Sequence, residues 1–339
     1  MKSCLLVIQK YGRNKQQGVE DFDCFKSFSS EVLLALVKIV YTVIKHIDQG
    51  GPFFYGKSSM YRKIALISDI HGNMTAFQSV CDDLKKQKIN EVWFLGDMFS
   101  PGPGALEQWK LFKSLEPSIC VRGNWDDLLV NGYKGRLSLE KPSRVFFSRL
   151  AEFIGMQLGS AIIDEIEHWP LHQLIDVNNL RFSCAHNLPF HNFGQKLYPT
   201  SSQTTFDEVL KDTKADVALY AHVHHPLMRY TTSEQLVINP GSVGEPFCDW
   251  PGLHDDLRAE YCILECDEQG MPQVSFRKVS YDRQQEIKRA EKAGLPYLDL
   301  YSDQLYSGIV HTHDHDLLEK INEERGYLKD VLKYIEKMK

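Results

Sequence analysis

The chain has 339 residues, of which 43% are hydrophobic and 25% charged, so it reads as an ordinary soluble globular protein rather than a disordered or fibrous one. A formal net charge of -6 gives no general affinity for nucleic acid, and a polyanionic partner would need a local basic patch. Eight cysteines, at 4, 24, 81, 120, 184, 248, 262 and 266, lack the spacing of a disulfide framework, which points to buried thiols and a cytoplasmic location.

Residues 1–60 form an N-terminal extension unlike the remainder of the chain. Its first ten residues have too short an apolar core for a secretory signal. Val32 to Ile47, VLLALVKIVYTVIKHI, is expected to be one hydrophobic helix, but Lys38 and Lys45 interrupt it and it falls short of the roughly 20 residues that span a bilayer. Three readings stay open: a packing helix, peripheral membrane contact through residues 31–47, or a segment upstream of the natural start. The last has a motive in Met60, which stands directly before the first core strand.

From residue 61 strands and helices alternate. Ile64 to Ser68 reads as a buried parallel strand, Met74 to Lys86 as an amphipathic helix and Ile89 to Leu95 as the next strand, which is a βαβ unit. Ser100-Pro101-Gly102-Pro103-Gly104 must be a loop, Ala105 to Leu115 a helix and Ile119 to Val121 a strand. One long helix is expected over Ser143 to His168, then strands at Leu180 to Cys184 and Val217 to Tyr220 with a short helix at Phe206 to Lys211. Gln235 to Ile238, Tyr261 to Glu265 and Val274 to Val279 read as strands of a hairpin-rich sheet. Asp316 to Lys339 is expected to be one amphipathic helix, packed on the domain or on a second copy in a homodimer.

The chemistry lies where the strands stop. Ligands of an open α/β sheet collect at the carboxyl ends of its strands. Here successive strand-like runs end in Asp69-Ile70-His71, Gly96-Asp97, Gly123-Asn124, Ala185-His186 and Ala221-His222-Val223-His224. A single Asp-x-His can be a helix cap, but five strand ends carrying seven carboxylate, amide and imidazole groups suit divalent metal. Cys262 and Cys266 have no matching pair nearby for zinc, and the alternating His311, His313 and His315 read as a solvated turn.

This ordered set resembles the calcineurin-like metallophosphoesterases, and more closely their small bacterial and archaeal phosphodiesterase branch. The similarity covers about residues 62–310 and extends to Asn239-Pro240-Gly241-Ser242-Val243-Gly244, Tyr281-Asp282 and Gly294-Leu295-Pro296. It implies a four-layer αββα sandwich of two mixed sheets flanked by helices over residues 61–310; the N-terminal extension and the C-terminal amphipathic helix expected over 311–339 lie outside the resemblance. It further implies two divalent metal ions. Asp69, His71 and His224 would hold one, Asn124, His186 and His222 the other, and Asp97 would bridge them, with Asn73 beside the phosphate-binding face. The expected catalytic residues are thus Asp97, Asn124 and Asn73. Manganese is expected, with iron, nickel, cobalt or zinc compatible with the donors.

The implied activity is hydrolysis of a small phosphate diester by a metal-bridging hydroxide. The alternative is a catalytically silent scaffold of the same fold. Three departures matter: Trp125 stands where many relatives carry a proton-donating His, and Ala185 and Ala221 replace glycines before the later histidines. Arg122 is a candidate phosphate contact, His191, Asp126 and Asp127 are candidates for supporting the ligands, and loops 98–104 and 187–200 are expected to recognise substrate.

Overall fold

A computed structural model describes residues 61–338 apart from 212 and 272. The hydrophobic segment 32–47, its membrane contact and the Met60 start lie outside the described residues. No described helix is long and apolar enough to cross a membrane.

Two mixed five-stranded sheets face one another. In the first, β1 (Arg62–Ile67), β2 (Glu91–Phe94) and β3 (Ile119–Cys120) run parallel, and β9 (Ala259–Cys266) and β10 (Gln273–Val279) add antiparallel strands beside β1, in the order β10-β9-β1-β2-β3. In the second, β4 (His172–Val177), β5 (Leu180–Ala185), β6 (Val217–Leu219), β7 (Leu227–Tyr230) and β8 (Leu236–Asn239) lie in the order β4-β5-β6-β8-β7, with β5, β6 and β8 parallel. The unbroken apolar character of β1 follows from burial on both faces. Ile64 and Leu66 point into the cluster between the sheets, while Ala65 and Ile67 point into the helix-covered cluster outside. Cys262 and Cys266 alternate on β9 in the same way, both buried in the inter-sheet core with their thiols pushed up by burial, to about 12 and about 11.

Trp93 of β2 is fully buried between the sheets, its ring edge-on to Phe182 at 5.3 Å and its indole N–H donated to Glu91 Oε1 at 2.8 Å. We expect Trp93→Ala to cost about 3–5 kcal/mol of stability in urea unfolding, because the cavity opens where neither sheet can collapse.

The first sheet is covered by α1 (Met74–Lys86), α2 (Leu106–Ser114), α3 (Asn124–Tyr133) and helices α4 (Pro142–Leu158) and α5 (Ser160–Glu167). The expected helix over 143–168 is therefore two, broken at Gly159, whose φ of +80° an L side chain rarely adopts. The layer over the second sheet is thin, with α6 (Gln203–Glu208) as its helix. After β10 come α7 (Arg283–Ala293) and α8 (Leu298–Ser307). The expected single tail helix is α9 (His315–Arg325) and α10 (Tyr327–Met338), parted at Gly326. Leu318 of α9 shares a buried cluster with Phe146 and Leu150 of α4, Ala290 of α7 and Leu305 of α8, so the tail packs on the sandwich.

Candidate metal centre

β1, β2, β3, β5 and β6 deliver the expected residues to one end of the two sheets. The loop after β1 is laced to both neighbours: Asp69 N–H donates to Gly96 O (2.9 Å), His71 N–H to Asp97 O (3.1 Å) and Gly72 N–H to Met98 O (3.1 Å). On its other side Gly244 N–H donates to Asp69 O (2.8 Å) and Ser242 Oγ donates to the same carbonyl (2.9 Å). The run Asn239 to Gly244 thus clamps the ligand loop. Asp69, His71, Asp97, His222 and His224 all have φ between 51° and 69°. Such left-handed residues cost of order 1–3 kcal/mol each, and here the lacing on both sides holds them.

The ligand atoms of Asp69, His71 and His224 lie within 4.8 Å of one another, and so do those of Asp97, His186 and His222. The two groups adjoin, because Asp97 Oδ2 is 3.2 Å from His186 Nε2 and 3.8 Å from His71 Nε2. Asn124 Oδ1 joins the second at 3.1 Å from His186 Nε2. All seven expected ligands therefore converge, with Ala185 and Ala221 buried directly before the histidines.

Three imidazoles are oriented from behind. Their Nδ1 atoms donate to Ser100 O (His71, 2.7 Å), Leu95 O (His186, 2.6 Å) and Glu245 O (His224, 2.7 Å), which turns each Nε2 lone pair inward. His222 differs. Its Nε2 accepts from Gly194 N–H at 3.1 Å, leaving Nδ1 as its ligand atom. Asp69 is fully buried, its carboxylate oxygens take no hydrogen bond from backbone or amide groups, and His224 Nε2 lies 3.3 Å from Oδ1. A buried carboxylate faced by imidazoles rather than by fixed donors fits divalent cations.

Charge in the metal-free centre is shared between acids and bases. Burial alone would lower His186 and His224, but Asp97 beside the first and Asp69 beside the second raise both to about 9. Burial would raise Asp69 and Asp97, but His224 and His186 respectively hold each below the usual carboxylate range. His222, desolvated and next to His186, falls to about 4. Imidazole must be neutral to ligate, so protons on His186 and His224 compete with cations at every pH below about 9. Calorimetric titration with Mn²⁺ at pH 7, in two buffers of different ionisation enthalpy, is expected to show release of about two protons and an affinity that rises toward pH 9.

Supporting residues sort differently from expectation. Asp126 is buried and accepts N–H groups from Asp97 (2.9 Å), Met98 (3.0 Å) and Gly123 (2.8 Å), so one carboxylate ties together the turns after β2 and β3. Its burial and Asp97 raise it to about 6. Arg122 is occupied by Asp127 (2.7 Å) and the carbonyls of Glu167 and Trp169. His191 touches no ligand and instead meets Phe193 O at 3.0 Å. Asn73, expected beside the phosphate face, is fully buried: its Oδ1 accepts from Ala76 N–H (3.0 Å) and its Nδ2 donates to Gly244 O (3.1 Å). It caps α1 and pins the clamp. Loop 98–104 acts behind His71, through Ser100 O and Gly102 N–H, rather than as an open wall.

Trp125 stands edge-on to His71 with ring centroids 5.4 Å apart and leans on Phe147 at 5.2 Å. It is a wall with no proton to give. Glu245 was missed in the sequence, although it directly follows the Gly244 of the clamp. Its Oε2 is 3.8 Å from His71 Nε2, and its Oε1 is buried without a partner.

Residues 63–269 match the model of the calcineurin-like phosphoesterase superfamily domain. An uncharacterized protein of Methanocaldococcus jannaschii is 26% identical over 252 residues, spanning 69% of this chain and 93% of that one. The crystal structure of a metallophosphoesterase from Sphaerobacter thermophilus covers 73% of this chain and 100% of its own at 26% identity and a TM-score of 0.57. A hypothetical protein from Pyrococcus horikoshii covers 73% of this chain and 98% of its own, with a TM-score of 0.60. Its identity is 18%, so that likeness speaks for the fold alone.

Proposed function

The chain belongs to the calcineurin-like phosphoesterase superfamily, and from that premise we propose that it is a phosphodiesterase acting on a small phosphate diester with two divalent cations. The observation that carries the reading is the buried Asp69 carboxylate, held by no backbone or amide donor and facing His224 at 3.3 Å and His186 at 3.9 Å, at the junction of two ligand groups. Asp69, His71 and His224 would hold one cation, and Asn124, His186 and His222 the other, with Asp97 between them.

When bound, such cations neutralise the charge of a phosphoryl group and acidify a water molecule. The protein's own part is orientation. Backbone carbonyls fix three imidazole tautomers, Asp126 sets the Asp97 and Asn124 turns, and Asn73 holds the clamp as a positioning residue. Trp125 closes one side of the site and supplies no acid, so a leaving oxygen must take its proton from water, and esters with good leaving groups such as p-nitrophenolate turn over fastest. Manganese is our choice of metal, because mixed imidazole, amide and carboxylate donors without thiolate leave selection to supply. A cytoplasmic setting is supported by the six free cysteines among the described residues. A silent scaffold is disfavoured, since it has no need for a set of strained, oriented ligands.

The test is hydrolysis of bis(p-nitrophenyl) phosphate by protein stripped with chelator and reloaded. Turnover that appears with Mn²⁺ and vanishes with chelator is expected; turnover indifferent to both contradicts the reading.

A further inference from the structure

A groove of about 540 Å³ opens directly beside the metal centre, with Asn124 forming part of its wall. That volume lies within the range of small-molecule sites. Beyond α3 its walls come from Lys141 and Arg144 at the start of α4, Phe193 of the 187–200 loop, and His313 and His315 at the start of α9. Residues 313 and 315 lie beyond the stretch matched by the family model, which ends at 269.

Its chemistry is cationic and aromatic. Lys141 and Arg144 are exposed, and neither has an ion-pair partner among the described residues. The single carboxylate in the lining, Asp127, is already paired with Arg122 at 2.7 Å and accepts from Asn192 Nδ2 at 2.7 Å. Phe193 is 62% exposed, a large apolar ring left facing solvent. It is nonetheless tethered to the centre, because the next residue, Gly194, donates its N–H to His222. Two uncommitted cations, two imidazoles and a largely exposed aromatic ring, backed by His191 at 5.3 Å and anchored to a metal ligand through Gly194, match a ligand with an aromatic base and a phosphate beyond the scissile one.

We propose that this groove selects diesters whose one arm is a nucleoside bearing a further terminal phosphate, held by Lys141 and Arg144 while the base lies against Phe193. This rests on the phosphodiesterase reading above and names its substrate class. In the reaction, water adds to phosphorus, one ester P–O bond breaks, and the proton that the water gives up is balanced by one taken up by the leaving oxygen, giving a phosphomonoester and an alcohol, one of which carries the nucleoside with its terminal phosphate.

The probes are the dinucleotides pApA and ApA, which share a scissile diester and differ by the terminal phosphate. With Mn²⁺, the expected kcat/KM is about tenfold higher for pApA, a modest ratio because exposed charge pairs are individually weak. K141A/R144A should erase that ratio while leaving ApA and bis(p-nitrophenyl) phosphate within about twofold of the unaltered protein. Phe193→Ala should weaken both dinucleotides roughly tenfold. A calorimetric arm on metal-free protein reads the groove without turnover: pApA should bind about tenfold more tightly than ApA, and K141A/R144A should make them equal. Equal binding of the two by unaltered protein, or a preference that survives K141A/R144A, overturns the groove assignment. Loss of bis(p-nitrophenyl) phosphate turnover in unaltered protein would instead overturn the phosphodiesterase reading, leaving the binding arm to decide the groove.

Discussion

Asp97→Asn is expected to lower turnover of bis(p-nitrophenyl) phosphate by about 10³-fold or more, the scale of losing a preorganised charge where the reaction develops its own. Asp97 lies between the two ligand groups, 3.2 Å from His186 and 3.8 Å from His71. Asparagine keeps its volume and can still accept the Trp125 N–H that now reaches Oδ1 at 2.8 Å. The fold should therefore survive, and what disappears is one negative charge between two cations. A second readout separates this from damage. Saturating a tight site at a hundred times its dissociation constant stabilises a protein by about 2.7 kcal/mol, and the variant should lose most of the melting-temperature gain that Mn²⁺ gives. A variant that is active and still stabilised by metal would contradict the role given to Asp97.

Gly123→Ala should be nearly as damaging although it adds one methyl group to a non-ligand. Backbone freedom is not the issue, since Gly123 sits at φ −87° and ψ 177°, where alanine is comfortable. Space is. A Cβ there would fall 1.9 Å from Asp97 Oδ1 and 2.6 Å from Asp97 N. Either the carboxylate swings away from both ligand groups or the turn after β3 retreats and takes Asn124 with it. A displacement of about an ångström at a reacting centre is worth roughly 10²-fold in rate, and that is the expected loss. Metal analysis should accompany the kinetics, because the second ligand group depends on both Asp97 and Asn124 and should lose its cation first. Full rate with full metal content would show that the turn has slack the geometry does not display.

Much of this centre was legible because its ligands follow apolar runs, and β1 at Ile64 to Ile67 is apolar for a reason the sequence records, burial on both faces. Spacing could not report conformation. Nothing in the letters shows that Asp69, His71, Asp97, His222 and His224 are all left-handed, since that follows from lacing between loops far apart in the chain. α3 escaped notice because Asn124 reads as a turn ligand, although Asp126 and Asp127 in its first turn are the acidic signature of a helix start. β4 escaped too, yet Val177 pairs with Leu180 across Asn178 and Asn179, a two-residue hairpin turn with Asn178 at φ 53°. The roles of Tyr281-Asp282 and Gly294 became clear only with α7: Asp282 caps its start by accepting from Gln285 N–H at 3.0 Å, and Gly294 ends it at φ 69°. Glu286 of that helix then accepts from Thr75 N–H at 2.9 Å, binding α7 to the first turn of α1. Such contacts join residues more than two hundred positions apart, and no local pattern encodes them.

The most direct measurement is anomalous diffraction from crystals grown with Mn²⁺. Two peaks are predicted, one among Asp69, His71 and His224 and the other among Asn124, His186 and His222, with Asp97 touching both. Density lacking any peak there, or manganese found only at the His311 to His315 run, would contradict the metal centre and every functional statement built on it.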